Sequence, residues 1–537
     1  MDHDEFRRAA HAVIEDIIAY NQNISSYPVL PTIKPGYLAP LLPPAAPQDP
    51  QTWPSIQPDI NRTIMPGLTH WQSPRFMAFF PAGVTYPSML GEMYSAAFTA
   101  PAFNWQCSPA CTELETVVMD WLAQAFDLPQ SFLSTTGTGG GTIQGSASEA
   151  VVTCMVAARE RYLHRKCVSE GLEAGSAAWD ERVEILRGRL VALSSDQAHS
   201  STAKGARIVG TRYRSIQAHE RNDFSLTASD LLSALAQCEK DGLEPYFITL
   251  TLGTTSTCAV DDFGVLLQPI LASQHPEIWV HVDAAYAGAA LVCPEYSALY
   301  SHHFAHVDSF NMNMHKWLLV NFDASCLFVR DRNHLTRALS ISAAYYENKQ
   351  SSAGLVTDYR DWQIPLGRRF RSLKIWFVMR TYGIKGMQEH IRRTVQLGQL
   401  VEGWLRNEAE AKELFEIIGT PRFALSCFRI RPALLLPTLL QQQEQLQQKD
   451  LDVVEQIANS LTKKVVDLIT EEGQVFLISS TTGGKTFIRV VSANPNAEER
   501  YIREAWELIV ATTRKVVAEW SQGLQRAEKK QMDGGEA

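Results

Sequence analysis

The sequence predicts an α/β fold built on a mainly parallel sheet, from three observations. Short apolar runs, Leu190 to Leu193, Tyr246 to Leu252, Ile278 to Val282 and Cys326 to Val329, alternate with helical patterns between about residues 93 and 375, the pattern of a sheet with helices on both faces. Three of the runs lead into polar residues, at Ser194 to His199, Gly253 to Ser256 and Asp283. With 537 residues, 45% hydrophobic and 20% charged, the chain has enough apolar material to cover both faces of a large sheet. Ligands in such folds bind beyond the carboxyl ends of the strands, so chemistry is sought at those polar ends.

Phe6, Ala10, Val13 and Ile17 recur at helical spacing and predict an amphipathic helix over residues 4–21. Prolines from Tyr27 to Pro58 then preclude regular structure and predict an extended arm. Residues 1–92 are read as an N-terminal helical arm and dimerisation segment, 93–375 as the large ligand-binding domain and 376–521 as a smaller α/β domain. Strands of the smaller domain are expected near Phe423 to Ile430, Val475 to Ser479 and Phe487 to Val491, with a last helix through Trp506. The glutamine-rich stretch at 441–448 reads as an insertion and 522–537 as a disordered polar tail.

Composition excludes several function classes. A net charge of -9 and a pI near 5.9 offer nucleic acid no general attraction. The one basic cluster, Arg368, Arg369, Arg371 and Lys374, is interrupted by Phe370 and Leu373 and reads as the charged face of a helix. Phe76 to Thr112 carries a single charge, Glu92, but four prolines and two glycines cut it below the roughly 20 apolar residues a membrane span needs. Nine cysteines without framework spacing point to reduced thiols, and MDHDEFRRAA has no apolar signal core, so a cytoplasmic protein is expected.

Three motifs fail on inspection. GTGTGGGT at 135–142 places Thr142 where a dinucleotide fingerprint needs its third glycine, and GGKT at 483–486 lacks the first glycine of a phosphate loop. His302, His303 and His306 have few carboxylates and no cysteine nearby, so no metal site is expected. Three other features have two readings each. Ser146-Ala147-Ser148 opens a helical run and is either a plain helix cap or a cradle for a phosphate. Asp283 ends a buried run and pairs either with backbone donors or with a cationic ring nitrogen. Lys316, between His315 and Trp317, is either a snorkelling surface lysine or an amine with lowered pKa that attacks an aldehyde. Their order, serines, His199, Asp283, Lys316, is one in which a doubly wound domain would present a phosphate site, ring face, ring nitrogen and aldehyde anchor.

From EFRRAA through HWQSPRF, SPACTELE, IQGSASEA, SSDQAHSS, LGTTS, HVDAAYAG, NMNMHKWLLVNFD and TDYRDWQIPLGRRFRSLK, the chain resembles the group II aromatic L-amino acid decarboxylases, over roughly residues 4–520. The resemblance implies a fold type I, aspartate-aminotransferase-like architecture, pyridoxal 5'-phosphate as cofactor and a homodimer with active sites at its interface. It makes Lys316 the Schiff-base lysine, Asp283 the partner of the pyridinium nitrogen and His199 the imidazole against the ring. It places Ser146, Ala147, Ser148, Thr255, Asp261, Ala285, Asn313 and His315 at the cofactor, and Trp71, Phe79, Phe80, Pro81, Ala82, Phe103 and Gly367 around the substrate, with Phe103 coming from the partner subunit. Tyr345 becomes the donor of a proton to the substrate Cα, on a loop at about 341–352.

The implied activity is decarboxylation of a small aromatic L-amino acid to an arylalkylamine and CO2. Related aldehyde synthases replace the loop tyrosine with phenylalanine or the stacking histidine with asparagine; this chain has Tyr345 and His199. Gly367 stands where plant relatives acting on indoles carry glycine and those acting on phenols carry serine, while animal relatives that accept dopa also carry glycine there. Phe79 and Ala82 stand where animal relatives have tyrosine and threonine, which leaves a more apolar pocket and leans the expectation to tryptophan or 5-hydroxytryptophan. Met314 replaces the proline that animal relatives have before His315-Lys316. A catalytically silent dimeric binding protein would have lost Lys316, Asp283 or His199, and none is lost. Aromatic walls argue against the acidic substrate of a glutamate decarboxylase.

Overall fold

The apolar runs become strands of one sheet because each is too short and too apolar on both faces to be stable except inside a sheet. The computed structural model describes residues 1–272, 277–341, 350, 356–440 and 448–533. The chain divides into two compact units, one of Met1–Pro81, Gln396–Ile418 and Ala424–Ala537, the other of Ala82–Val395 and Gly419–Phe423.

The second unit is built on seven strands among the described residues: β1 (Gly140–Gln144), β2 (Leu190–Ser195), β3 (Arg212–Ile216), β4 (Glu244–Thr251), β5 (Trp279–Asp283), β6 (Ser309–Asn313) and β7 (Ser325–Val329). Their order is β1-β7-β6-β5-β4-β2-β3. β2 to β6 pair in parallel, while β7 runs antiparallel to both β6 and β1. The mainly parallel α/β prediction therefore holds. β1, β3 and β6 gave no apolar signal: β6 reads SFNMN and β1 reads GGTIQ, yet every residue of both is buried. The ladder supplies that burial, and sequence alternation does not report it.

The basic cluster departs from the sequence reading. Arg368 and Lys374 are 6% and 1% exposed, and the helix begins only at Arg371. Arg368 pairs with Glu115 at 2.6 Å, Arg371 with Asp323 at 2.8 Å and Lys374 with Glu92 at 2.5 Å. A buried charge needs a partner, and these partners lie about 50 to 280 residues away in sequence, out of reach of any local pattern.

In the first unit the expected amphipathic helix spans His3–Gln22 and is capped by Asp2, whose side chain accepts from the Asp4 and Glu5 N–H groups. Four strands, β8 (Phe415–Ile417), β9 (Leu425–Ile430), β10 (Ile478–Thr482) and β11 (Lys485–Val491), lie in the order β10-β11-β9-β8. GGKT is here a hairpin turn: Gly483 and Gly484 join β10 to β11 at φ 58 and 79, a left-handed pair that favours glycine. The chain near the N-terminus joins this sheet, with Met77 N–H donating to Phe476 O at 3.0 Å and Val29 N–H to Gly473 O at 2.8 Å. The last helix runs Glu499–Asp533, through most of the stretch whose polarity predicts disorder; Ala, Glu, Lys, Gln and Arg are all good helix formers. The glutamine-rich insertion falls outside the described residues for 441–447. Among the described residues no helix is long and apolar enough to cross a membrane.

Candidate active site

Register turns residues far apart in sequence into neighbours. Thr251 of β4 pairs with Asp283 of β5, Asp283 with Asn311 of β6, and both Asn313 of β6 and Gln144 of β1 with Ser325 of β7. With strands about 4.8 Å apart, the segments that follow β1, β2, β4, β5 and β6 leave one edge of the sheet. That edge carries Ser146, His199, Thr255, Asp283 and Lys316.

Asp283 is 5% exposed, and its Oδ1 accepts the Ala285 N–H at 3.0 Å. Ala285 in turn gives its carbonyl to the Asn313 N–H at 3.0 Å, which ties the end of β5 to the end of β6. Lys316 lies in the short helix Met314–Trp317 directly after β6. Burial lowers its pKa, opposed by the Asp283 carboxylate and by Cys258. The snorkelling reading fails at its neighbour: Trp317 is 1% exposed, stacks on Tyr286 at 4.8 Å and donates Nε1–H to Thr394 Oγ1 at 3.0 Å.

His199 follows β2, and its Nδ1 accepts the Ser201 N–H at 3.2 Å, which leaves the proton on Nε2. Its pKa is lowered by desolvation, then raised by Asp283 and lowered by Lys316. The three residues that carry the sequence reading thus share one electrostatic neighbourhood. His315 gives Nδ1 as acceptor to the Ala324 N–H at 2.8 Å, and burial pushes its pKa down to about 4, so it is a neutral imidazole with a donor on Nε2.

Ser146 caps the helix Ala147–Ser169, its hydroxyl accepting the Glu149 N–H at 3.1 Å. Glu149 reaches back to the Gly145 N–H at 3.0 Å, which ties the end of its side chain to the turn before the helix. The cap reading is therefore correct, and the same helix start supplies backbone donors and the Ser148 hydroxyl for an anion. Asp261 is 1% exposed and its two oxygens are taken by the Leu226 and Thr251 N–H groups, at 3.0 and 2.8 Å; burial lifts its pKa to about 6. It shapes the β4 end through the backbone.

The residues at this edge suit pyridoxal phosphate. Asn313 Oδ1 and Thr251 Oγ1 are buried with no hydrogen-bond partner among the described residues. A buried polar atom of that kind calls for a polar group from outside the chain. An acid for a ring nitrogen, an amine with lowered pKa and a helix start for a phosphate complete the donor set.

Phe103 and Gly367 are brought together by backbone bonds of their neighbours: Arg368 N–H donates to Pro101 O at 2.9 Å and Arg360 N–H to Phe103 O at 3.3 Å. Ala82 is half-buried at the start of the same unit. Trp71, Phe79, Phe80 and Pro81 belong to the other unit. There Trp71 stacks on Phe79 at 5.9 Å and Phe79 meets Phe476 edge-on at 5.7 Å, while the Arg489 guanidinium lies 5.3 Å from the Phe80 ring centre. Tyr345 lies outside the described residues. Sequence reasoning missed His281, Ser309 and Asn311, which share a sheet face with Asp283; the period-2 spacing of His281 and Asp283 was the available signal.

Residues 35–431 match the family described as pyridoxal-dependent decarboxylase conserved domain. The chain is 40% identical over 511 residues to the aromatic-L-amino-acid decarboxylase of Mus musculus, covering 95% of this chain and 97% of that one. It is likewise 40% identical over 513 residues to a phenylacetaldehyde synthase of Arabidopsis thaliana, covering 95% and 96%. The crystal structure of Oryza sativa TDC with PLP and tryptamine is similar with a TM-score of 0.85 at 36% identity, covering 96% of this chain and 99% of that one.

Proposed function

The chain belongs to the pyridoxal-dependent decarboxylase family and within it to the aromatic amino acid decarboxylases, and from that premise we propose that it converts aromatic L-amino acids to arylalkylamines and CO2, preferring L-tryptophan or 5-hydroxytryptophan. Its cofactor is pyridoxal 5'-phosphate. The observation that carries the proposal is that strand register and the segments after β2, β5 and β6 bring His199, the buried Asp283 carboxylate and Lys316 to one sheet edge, where Asp283 acts on both of the others.

Bound there, the cofactor supplies an electron sink for the pair released when the carboxyl group departs. Lys316 supplies an amine whose charged form burial disfavours, and so an amine able to hold an aldehyde carbon. Asp283 supplies the carboxylate that keeps a proton on a ring nitrogen, and His199 an aromatic surface beside it. The Ser146 to Ser148 helix start, Asn313 and His315 would hold the phosphate. Thr255 and Ala285 would line the same site, with Asp261 acting through the backbone. Tyr345 would deliver the proton that replaces CO2 at the substrate Cα.

Trp71, Phe79, Phe80, Pro81, Ala82, Phe103 and Gly367 would take the aromatic side chain. The indole preference is supported by Phe79 and Ala82, which bring no hydroxyl to a catechol. A homodimer is supported by the helix Tyr86–Phe98, which exposes Leu90, Met93, Tyr94 and Phe98; such a patch is characteristic of an interface. Nine unbridged cysteines support a cytoplasmic location.

Identity does not separate decarboxylation from aldehyde formation, since the decarboxylase of mouse and the aldehyde synthase of Arabidopsis are equally similar at 40%. Tyr345 and His199 favour decarboxylation. The purified protein, given a panel of aromatic amino acids, is expected to release amine and CO2 in equal amounts. Hydrogen peroxide and aldehyde matching the CO2 would refute it, as would a higher kcat/KM for dopa than for tryptophan for the substrate preference.

A further inference from the structure

Behind Asp283 the sheet carries a buried polar chain. Trp279, His281 and Asp283 alternate onto one face of β5, and register sets His281 against Ser309 and Asp283 against Asn311. Trp279 Nε1–H donates to Ser309 Oγ at 2.7 Å. Ser309 Oγ lies 2.7 Å from His281 Nδ1, and His281 Nε2 lies 2.9 Å from Asn311 Oδ1. Donor chemistry sets the direction. Indole has only a donor and the Asn311 oxygen only accepts, so the Ser309 hydroxyl donates to Nδ1 and Nε2–H donates to Asn311. The Asn311 Nδ2 group is buried and has no hydrogen-bond partner among the described residues.

We propose that Trp279, Ser309, His281 and Asn311 form a one-way hydrogen-bond relay that fixes the orientation of the Asn311 amide, whose unbonded Nδ2 group stands one strand from Asp283, its register partner, as a donor in reserve for that carboxylate. A stretch this deep in a sheet would otherwise be filled by Val, Ile or Leu. Trp279, His281 and Ser309 are each no more than 1% exposed, as is Asn311, and four polar side chains there cost stability unless they do something an apolar core could not. Directionality requires a neutral imidazole, and burial holds His281 down to about 4 against the opposing pull of Asp283 and Asn311.

The other groups around the chain leave its direction unchanged. Cys154, on the helix Ala147–Ser169, hydrogen-bonds the same Ser309, and burial pushes its thiol up to about 12. Arg161 lies 4.6 Å over the Trp279 ring but is already paired with Asp308 at 2.7 Å, and His334 meets that ring edge-on at 6.0 Å. Phe247 of β4 stacks on His281 at 5.9 Å and adds no charge. The four residues of the relay do not touch the reacting atoms and are positioning residues.

The inference rests on the reading of Asp283 as the partner of the cofactor nitrogen. Its test is the rate at which the holoenzyme loses pyridoxal phosphate on dilution, followed by absorbance, in wild type, Asn311→Leu, His281→Phe and His281→Gln. Asn311→Leu and His281→Phe are each expected to lose the cofactor about tenfold faster, the worth of one hydrogen bond to a charged group. His281→Gln, which can still accept and donate, should stay within about threefold of wild type. Asn311→Leu keeps the side-chain volume and the imidazole, so it decides the question if His281→Phe fails to fold. The relay is overturned if Asn311→Leu releases cofactor at the wild-type rate, or if His281→Gln is as leaky as His281→Phe. A wild-type protein that binds no pyridoxal phosphate would instead refute the cofactor site itself.

Discussion

Replacing Arg368 by methionine tests whether the residue beside Gly367 is a buried anchor or a surface charge. Arg368 Nη2 lies 2.6 Å from Glu115 Oε1, with the two side chains 3% and 5% exposed. The same Glu115 oxygen accepts the Ile143 N–H at 2.8 Å and the Thr142 hydroxyl at 3.1 Å, and Arg368 also donates Nε–H to Gln363 Oε1 at 3.1 Å. Methionine keeps most of the volume but strands the Glu115 charge. Breaking a buried pair by removing one partner costs about 3–5 kcal/mol. At roughly 2 °C per kcal/mol, the low end of the range for large domains, the apparent melting temperature should drop by about 6–10 °C. Glu115→Gln combined with Arg368→Met should recover at least about half of that, because a neutral amide still accepts the Ile143 N–H and strands no charge. The assay is thermal unfolding by circular dichroism at one scan rate. The reasoning is refuted if Arg368→Met melts within about 2 °C of wild type, as exposed ion pairs do, or if the double variant melts as low as the single one.

Two further predictions follow from the same unit. Gly367→Ser meets no atom within 4 Å at its Cβ, so its melting temperature should stay within about 1 °C of wild type, as for surface changes, while kcat/KM shifts from tryptophan towards tyrosine; a stability loss without that shift would make the position structural. Burial holds His281 and His315 down to about 4 and His390 to about 3, below the ordinary 6.5. Between pH 6.5 and 4 the unfolded chain therefore binds protons that the folded chain refuses, and stability falls with pH in that window. Asp261 works the other way, since a folded pKa of about 6 against 3.8 unfolded favours folding on acidification, and it offsets part of the loss. A melting temperature that rises from pH 6.5 to 4.5 would contradict the burial of these imidazoles.

Several candidate site residues were legible as positions where a pattern changes. Asp283 ends a buried run, His199 and Thr255 follow runs, and Ser146 to Ser148 open a helix; these are local events in a sequence with period 2 or 3.6. Strands β2, β4, β5 and β7 were legible for the same reason. Strand β6 was not, because a strand in the middle of a sheet is recognised by what its neighbours bury, and SFNMN carries its polar residues inward; β1, at the end of the strand order, reads GGTIQ and has no apolar run. The Arg368 cluster misled for a related reason: alternation with Phe370 and Leu373 is what a solvated helix face looks like, and only the distant Glu92, Glu115 and Asp323 make it an interior network.

By itself the sequence determined the fold class, because strand ends and helix starts are written in local periodicity, and its ordered motifs carried the family resemblance that implied the cofactor and the candidate site residues. The tertiary structure alone decided that the Asp283 carboxylate acts on both Lys316 and His199, that Asp261 gives its oxygens to backbone N–H groups, and that a polar chain from Trp279 to Asn311 stands behind Asp283. Those facts depend on the strand order β1-β7-β6-β5-β4-β2-β3 and its register. Register is set by long-range hydrogen bonding and burial, and the pairs that build the site, Thr251–Asp283 and Asp283–Asn311, each lie about 30 residues apart in sequence, beyond the reach of a periodicity window.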